Sequence, residues 1–157
     1  MAFPGVSTVG VKFGYAVEAT AGTKPETFTL LTRINQIGGI TIENEQIDAS
    51  ALEDEFDRSI SGRGSNGGSF TVTINATQET ITELTTLMAA YATAKAANKG
   101  MWFNTYVPGL QKSFFAVAEP PTMLPQPDFD QNGLLTMELT LVLNEYKGIG
   151  EGIVPTA

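Results

Sequence analysis

The chain has no cysteine and no histidine among its 157 residues. The first absence excludes a disulfide framework and thiolate chemistry. The second removes the commonest general base and metal ligand, and with it both usual hydrolytic triads. Carboxylate-only hydrolysis and hydride transfer stay open, but the composition does not favour an enzyme, a bound cofactor or a metal. Basic residues are scarce as well: nine Lys and Arg stand against seventeen Asp and Glu, a net charge of −8. That balance opposes a static grip on nucleic acid, which needs cations opposite phosphates. It does not oppose a surface along which DNA slides, where a negative wall prevents sticking. No apolar run approaches the roughly 18–20 residues of a membrane span. The first residues, Met1-Ala2-Phe3-Pro4-Gly5, lack the charged and apolar regions of a signal peptide. The expectation is one soluble domain over residues 1–157, made in the cytoplasm. A chain of this length can bury roughly 68–70% of its unfolded surface, so its core needs no staple.

The stretch from Thr41 to Ala97 organises what is present. Between Glu43 and Asp57 lie seven acidic residues and no basic one, then Arg58, Arg63 and the glycines 62, 64, 67 and 68. Structureless connections beyond roughly 12–15 residues are uncommon unless functional or disordered. Ile47, Leu52, Phe56 and Ile60 make residues 43–68 unlike a simple linker, because their side chains need something to pack on. A neighbouring subunit is the natural candidate. Phe70, Val72 and Ile74 alternate with Thr71, Thr73 and Asn75, the cleanest half-buried strand in the chain. A helix follows over 78–97, with Asn75 as N-cap and Gln78 completing a capping box. Ile81, Leu84, Met88, Tyr91 and Ala92 form its apolar stripe, and Asn98 and Gly100 stop it.

Around this stretch the pattern is that of strands. Residues 1–11 read as an N-terminal arm. Strands are predicted over 12–18 and 28–34, and Gly38-Gly39 bends the next apolar piece. Residues 101–107 and 112–118 form a hairpin through a type II turn at Pro108-Gly109. Pro120, Pro121, Pro125 and Pro127 keep the following segment out of any central strand. In the last strand, 135–144, Leu135, Met137, Leu139, Leu141 and Leu143 face one way, and Thr136, Glu138 and Thr140 the other. Residues 148–157 read as a flexible C-terminal arm. The fold class is mainly β with one α-helix: a β-sandwich or distorted barrel with the helix on its flank.

Three short motifs are weaker than they look. Gly62, Gly64 and Gly67 spell G-x-G-x-x-G, but a dinucleotide fingerprint follows a strand and opens a helix, and this one opens a strand. Asp128, Asp130, Asn132 and Gly133 match the start of an EF-hand loop, whose twelfth position is Leu139 instead of glutamate. Asn75-Ala76-Thr77 is a glycosylation sequon without a secretory context.

The order of elements carries more. Ile40-Thr41-Ile42-Glu43 leads into Ile47-Asp48-Ala49-Ser50-Ala51-Leu52-Glu53-Asp54, then a glycine-rich reach over 59–68, then Ser69-Phe70-Thr71-Val72-Thr73-Ile74-Asn75. Over residues 13–147 this resembles the major tail proteins of phages with long, non-contractile tails. The resemblance implies the tail-tube fold shared with contractile tails and the type VI secretion tube. It implies homohexameric rings whose sheets join into an inner barrel, stacked into a conduit for DNA ejection in the virion. Its implied partners are further copies of the chain, tail terminator and tail-tip proteins, and a tape measure protein inside the tube. It implies that 43–68 is the inter-ring loop, with Ile47, Asp48, Leu52, Glu53, Asp54, Phe56, Arg58 and Arg63 at the stacking contact. Thr71, Thr73, Thr136, Glu138 and Thr140 become candidates for the lumen. The alternatives are a tube subunit of a contractile or secretion-like system, and a monomeric β-sandwich binding module using Trp102, Phe103 and Tyr106.

Overall fold

The computed structural model describes residues 4–157, so the first three residues of the expected N-terminal arm lie outside the described residues. Nine strands and one helix follow in the order β1 Lys12–Val17, β2 Thr29–Leu31, β3 Ile34–Ile37, β4 Glu43–Asp48, β5 Ser59–Ser65, β6 Ser69–Asn75, α1 Gln78–Ala96, β7 Met101–Val107, β8 Lys112–Glu119 and β9 Thr136–Glu151. Seven strands make one antiparallel sheet in the order β2-β1-β7-β8-β9-β6-β3, and β4 pairs only with β5. The fold is mainly β with one helix.

The sheet is strongly curled. Its two edge strands, β2 and β3, are separated in sequence by Thr32 and Arg33 alone. Three Cα steps span at most about 11 Å, whereas the edges of a flat seven-stranded sheet would stand about 29 Å apart. The edges therefore face each other across a seam without pairing, which gives a sandwich-like, open-barrel section. Aromatic packing agrees: Phe70 on β6 meets Phe103 on β7 edge-on at 6.5 Å, although β8 and β9 lie between those strands in the sheet. The strand expected over 28–34 is thus two strands. Arg33 turns the corner with φ 56°, and the Glu83 carboxylate accepts from the Thr32 N–H (3.1 Å) and hydroxyl (2.9 Å).

The concave face holds the main core. Phe13, Val72, Ile74, Met101, Leu139 and Leu141 are buried there beneath Leu84 and Leu87 of α1. The helix buries Thr80, Leu84, Leu87, Tyr91 and Ala94. Of the expected stripe, Ile81 and Met88 are half-buried at its margin and Ala92 is exposed. The helix cap lies two residues beyond the expected one. Thr77 accepts from the Thr80 N–H (3.2 Å), and Thr80 Oγ1 accepts from the Thr77 N–H (2.8 Å). Asn75 remains in β6, where its side chain accepts from Asn35 Nδ2 (2.9 Å).

Two further expectations change. The β7–β8 turn carries its positive φ at Gln111 (53°) and not at Gly109, so it is not type II. Leu110 and Gln111 donate to the carbonyls of Val107 and Pro108. Val6 lies against Gly109, so that a Cβ there would meet the valine side chain. The C-terminal residues are placed, not free. β9 continues through Gly148 to Glu151, and the tail crosses the convex face of β1, β7 and β8. The Ile153 carbonyl accepts from Asn104 Nδ2 at 2.7 Å, Pro155 is buried against Gly14, and Thr156 bridges to β2. Three glycines and a proline mark the segment as loose in sequence, but β8 offers backbone partners and the convex face an apolar seat of Phe28, Trp102 and Phe115. No helix among the described residues is long and apolar enough to cross a membrane.

Candidate functional site

Residues 43–68 are a projecting β-hairpin and not an unstructured loop. Ile47 stands opposite Ile60 and Asp48 opposite Ser59, with a register shift between Asn44 and Gln46. A cross-strand isoleucine pair supplies the side-chain contact that holds two otherwise polar strands together. The tip is fixed locally. Asp54 accepts from the Ala51 N–H (2.8 Å) and meets Arg58 at 3.2 Å, while Ser50 Oγ accepts from the Arg58 N–H (2.8 Å). Ser50, through its hydroxyl and its N–H, holds the Asp48 carboxyl below the usual range.

All eight residues expected at a stacking contact therefore lie on this one element. Their environments differ. Asp54 and Arg58 are engaged with each other and with the tip backbone. Leu52 is fully exposed and Phe56 is 79% exposed, and Ile47 and Ile60 are also largely in solvent. Ile42, at the root and 56% exposed, adds to the same apolar surface; the Ile40–Ile42 alternation assigned it to a sheet and hid it.

The five residues expected on a lumen surface are also brought together. Thr71 pairs with Thr140, Thr73 with Glu138, and Asn75 with Thr136, on the convex side of β6 and β9. Thr71 and Thr140 hydroxyls approach to 3.5 Å. Alternation explains this: Phe70, Val72, Ile74, Met137, Leu139 and Leu141 are the buried half of the same two strands. The patch holds one carboxylate and no cation among these five residues. Unlike the other half of the convex face, the tail does not cover it.

A third feature has no counterpart in the sequence reading. Along the seam, an apolar cleft of about 570 Å³ opens between β3 with its Gly38–Ile40 extension and the start of β1, β7 and β8. Its lining includes Phe13, Ile37, Ile40, Phe70 and Phe103. The Gly38-Gly39 pair lies on its rim.

Trp102 and Phe103 are buried on opposite faces of β7, and Tyr106 is half-buried, so these three form no exposed aromatic platform. Asn132 takes φ 61° in a turn before β9, the chain's use of the Asp128–Gly133 segment. The Gly62–Gly67 motif runs along β5 and into the turn before β6.

No protein-family model matches the chain, and no curated protein matches it. Among solved structures, a chain in the cryo-EM structure of the anti-feeding prophage baseplate, six-fold symmetrised, is similar with a TM-score of 0.56 at 13% identity. The match covers 98% of this chain and 100% of that one. It shows that the two share a fold from end to end.

Proposed function

We propose that this chain is a non-enzymatic structural subunit of a phage-type tail: the tube subunit, closing into hexameric rings that stack into a conduit for DNA. The supporting observation is the hairpin. A monomer that exposes Ile42, Ile47, Leu52, Phe56 and Ile60 on one projecting element has built a contact it does not itself complete. The end-to-end fold likeness to a chain of a six-fold symmetrised baseplate supports the same reading. The open seam and the exposed β3 edge fit it as well, since ring closure pairs edges that otherwise promote aggregation. On this reading Thr71, Thr73, Thr136, Glu138 and Thr140 face the bore, where a surface without cations lets DNA pass without sticking. The partners are copies of the chain, terminator and tip proteins, and a tape measure protein during assembly in the host cytoplasm.

The baseplate origin of the similar chain favours one second reading, a ring subunit of a contractile or secretion-like system. Negative-stain electron microscopy of concentrated protein, with its size-exclusion profile, tests both. Hollow tubes support the tube subunit, and isolated six-membered rings support the second reading. Protein that stays monomeric even with a tail-tip nucleus overturns both.

A further inference from the structure

We propose that Asn66 is a site of spontaneous covalent modification, where the folded turn promotes conversion of the side-chain amide to aspartate and isoaspartate. The site is the turn between β5 and β6 alone, and it does not depend on the assembly reading.

The chain contains two Asn-Gly pairs, Asn66-Gly67 and Asn132-Gly133. Glycine has no Cβ to shield its nitrogen, so in either pair that nitrogen can reach the preceding side chain. The structure separates the two. The Gly68 N–H donates to Asn66 Oδ1 at 3.1 Å. The ring closed by that hydrogen bond passes through the Gly67 nitrogen, which folds the Asn66 Cγ back towards it. The same N–H lies where negative charge develops on Oδ1 once Cγ is attacked. Ser65 Oγ accepts from the Gly67 N–H at 3.4 Å, beside the proton that must leave. Gly67 and Gly68 hold φ of 80° and 78°, with open space around their Cβ positions, so water reaches the turn. Asn132 is exposed with φ 61°, and its side chain forms no hydrogen bond among the described residues.

Water is the one co-reactant required. The Gly67 nitrogen bonds to Cγ, the Cγ–Nδ2 bond breaks, and ammonia leaves with the proton that Gly67 gave up. Water then opens the succinimide ring. Attack at Cγ gives aspartate. Attack at the main-chain carbonyl gives isoaspartate, in which the chain runs through the side chain and is one atom longer. Either product replaces a neutral amide by a carboxylate, taking the net charge from −8 to −9 by one added charge. The change falls at the root of the 43–68 hairpin, where the Gly68 carbonyl also accepts from the Leu143 N–H. Isoaspartate therefore lengthens one root of the hairpin and not the other.

The test follows the folded protein at mildly alkaline pH, digested with trypsin at intervals. Residues 64–95 and 113–147 leave as separate peptides, each holding one Asn-Gly pair. Conversion raises a peptide's mass by one unit, fragment spectra place the change, and isoaspartate splits the chromatographic peak. Asn66 is expected to convert at least about fivefold faster than Asn132, the effect of one ordinary hydrogen bond on a rate. In urea the turn is lost, and the two rates should come together. Equal rates in the folded protein, or slower conversion of Asn66 folded than unfolded, overturn the proposal. A ratio that persists in urea belongs to the sequence and not to the turn, and overturns it as well.

Discussion

At the scale of single residues, Tyr91 shows how a buried polar group ties two elements together. Its hydroxyl donates to Glu119 Oε1 at 2.5 Å, linking α1 to the end of β8. Burial first, and the Glu119 carboxylate second, push the Tyr91 pKa from 10.0 up to about 12. The folded state thus holds this proton more tightly than the unfolded chain. Its stabilisation is full below about pH 10 and is lost as pH rises through about 12. Tyr15 is raised in the same direction, by burial and then by Glu83, and adds to the same alkaline loss. We expect Tyr91→Phe to cost about 1 kcal/mol at pH 7 and to flatten the fall in stability between pH 10 and pH 12. Urea titrations at pH 7, 10 and 11 measure both; an identical alkaline slope in the two proteins would refute the assignment.

At the scale of elements, the helix start and the hairpin make opposite predictions. Thr77 and Thr80 cap α1 reciprocally, so Thr77→Ala should cost about 1 kcal/mol. Asn75→Ala, at the position that sequence favours, should cost less, because its side chain bonds only Asn35 in an exposed site. Thermal melts of the two variants rank them. The hairpin packs on no strand of the seven-stranded sheet. Replacing 45–63 by a short glycine-serine turn should therefore leave the melting temperature within a few degrees of the parent while abolishing assembly. A large drop in melting temperature would show that the hairpin supports the fold and is not an outward contact.

At the scale of the whole molecule, the curled sheet is finished by its own C-terminal tail. The Ile153 carbonyl accepts from Asn104 Nδ2 and its N–H donates to Ser113 Oγ, both residues being fully buried beneath it, and Pro155 covers Gly14. Truncation after Glu151 uncovers these groups and the Phe28–Trp102–Phe115 cluster. We expect a loss of about 2 kcal/mol or more, read as a fall of about 4–8 °C in melting temperature. On the proposed bore, Thr136→Lys with Glu138→Lys should slow DNA ejection from assembled particles by adding cations to the path of phosphates. Unchanged ejection kinetics would remove these residues from the bore.

Wherever a residue's environment follows from its nearest neighbours in the chain, the sequence by itself determined the outcome. Strict alternation in 70–75 and 136–143 fixes which side chains enter the core, so it also fixes that Thr71, Thr73, Thr136, Glu138 and Thr140 share the opposite face. Helical spacing places Leu84 and Tyr91 inside, and an acidic segment with unmatched apolar residues announces an outward element. The tertiary structure alone decided what depends on distant pairing. The cleft exists because the sheet curls until β3, at one end of its order, faces β1, next to the other end. Asn75 lost the cap to Thr77 because β9 and Asn35 claim it for the sheet. Gly148 to Pro155 became structure because β8 and the face beneath offer hydrogen-bond partners and an apolar seat. Local pattern cannot contain these results, since the groups that decide them lie tens of residues away along the chain.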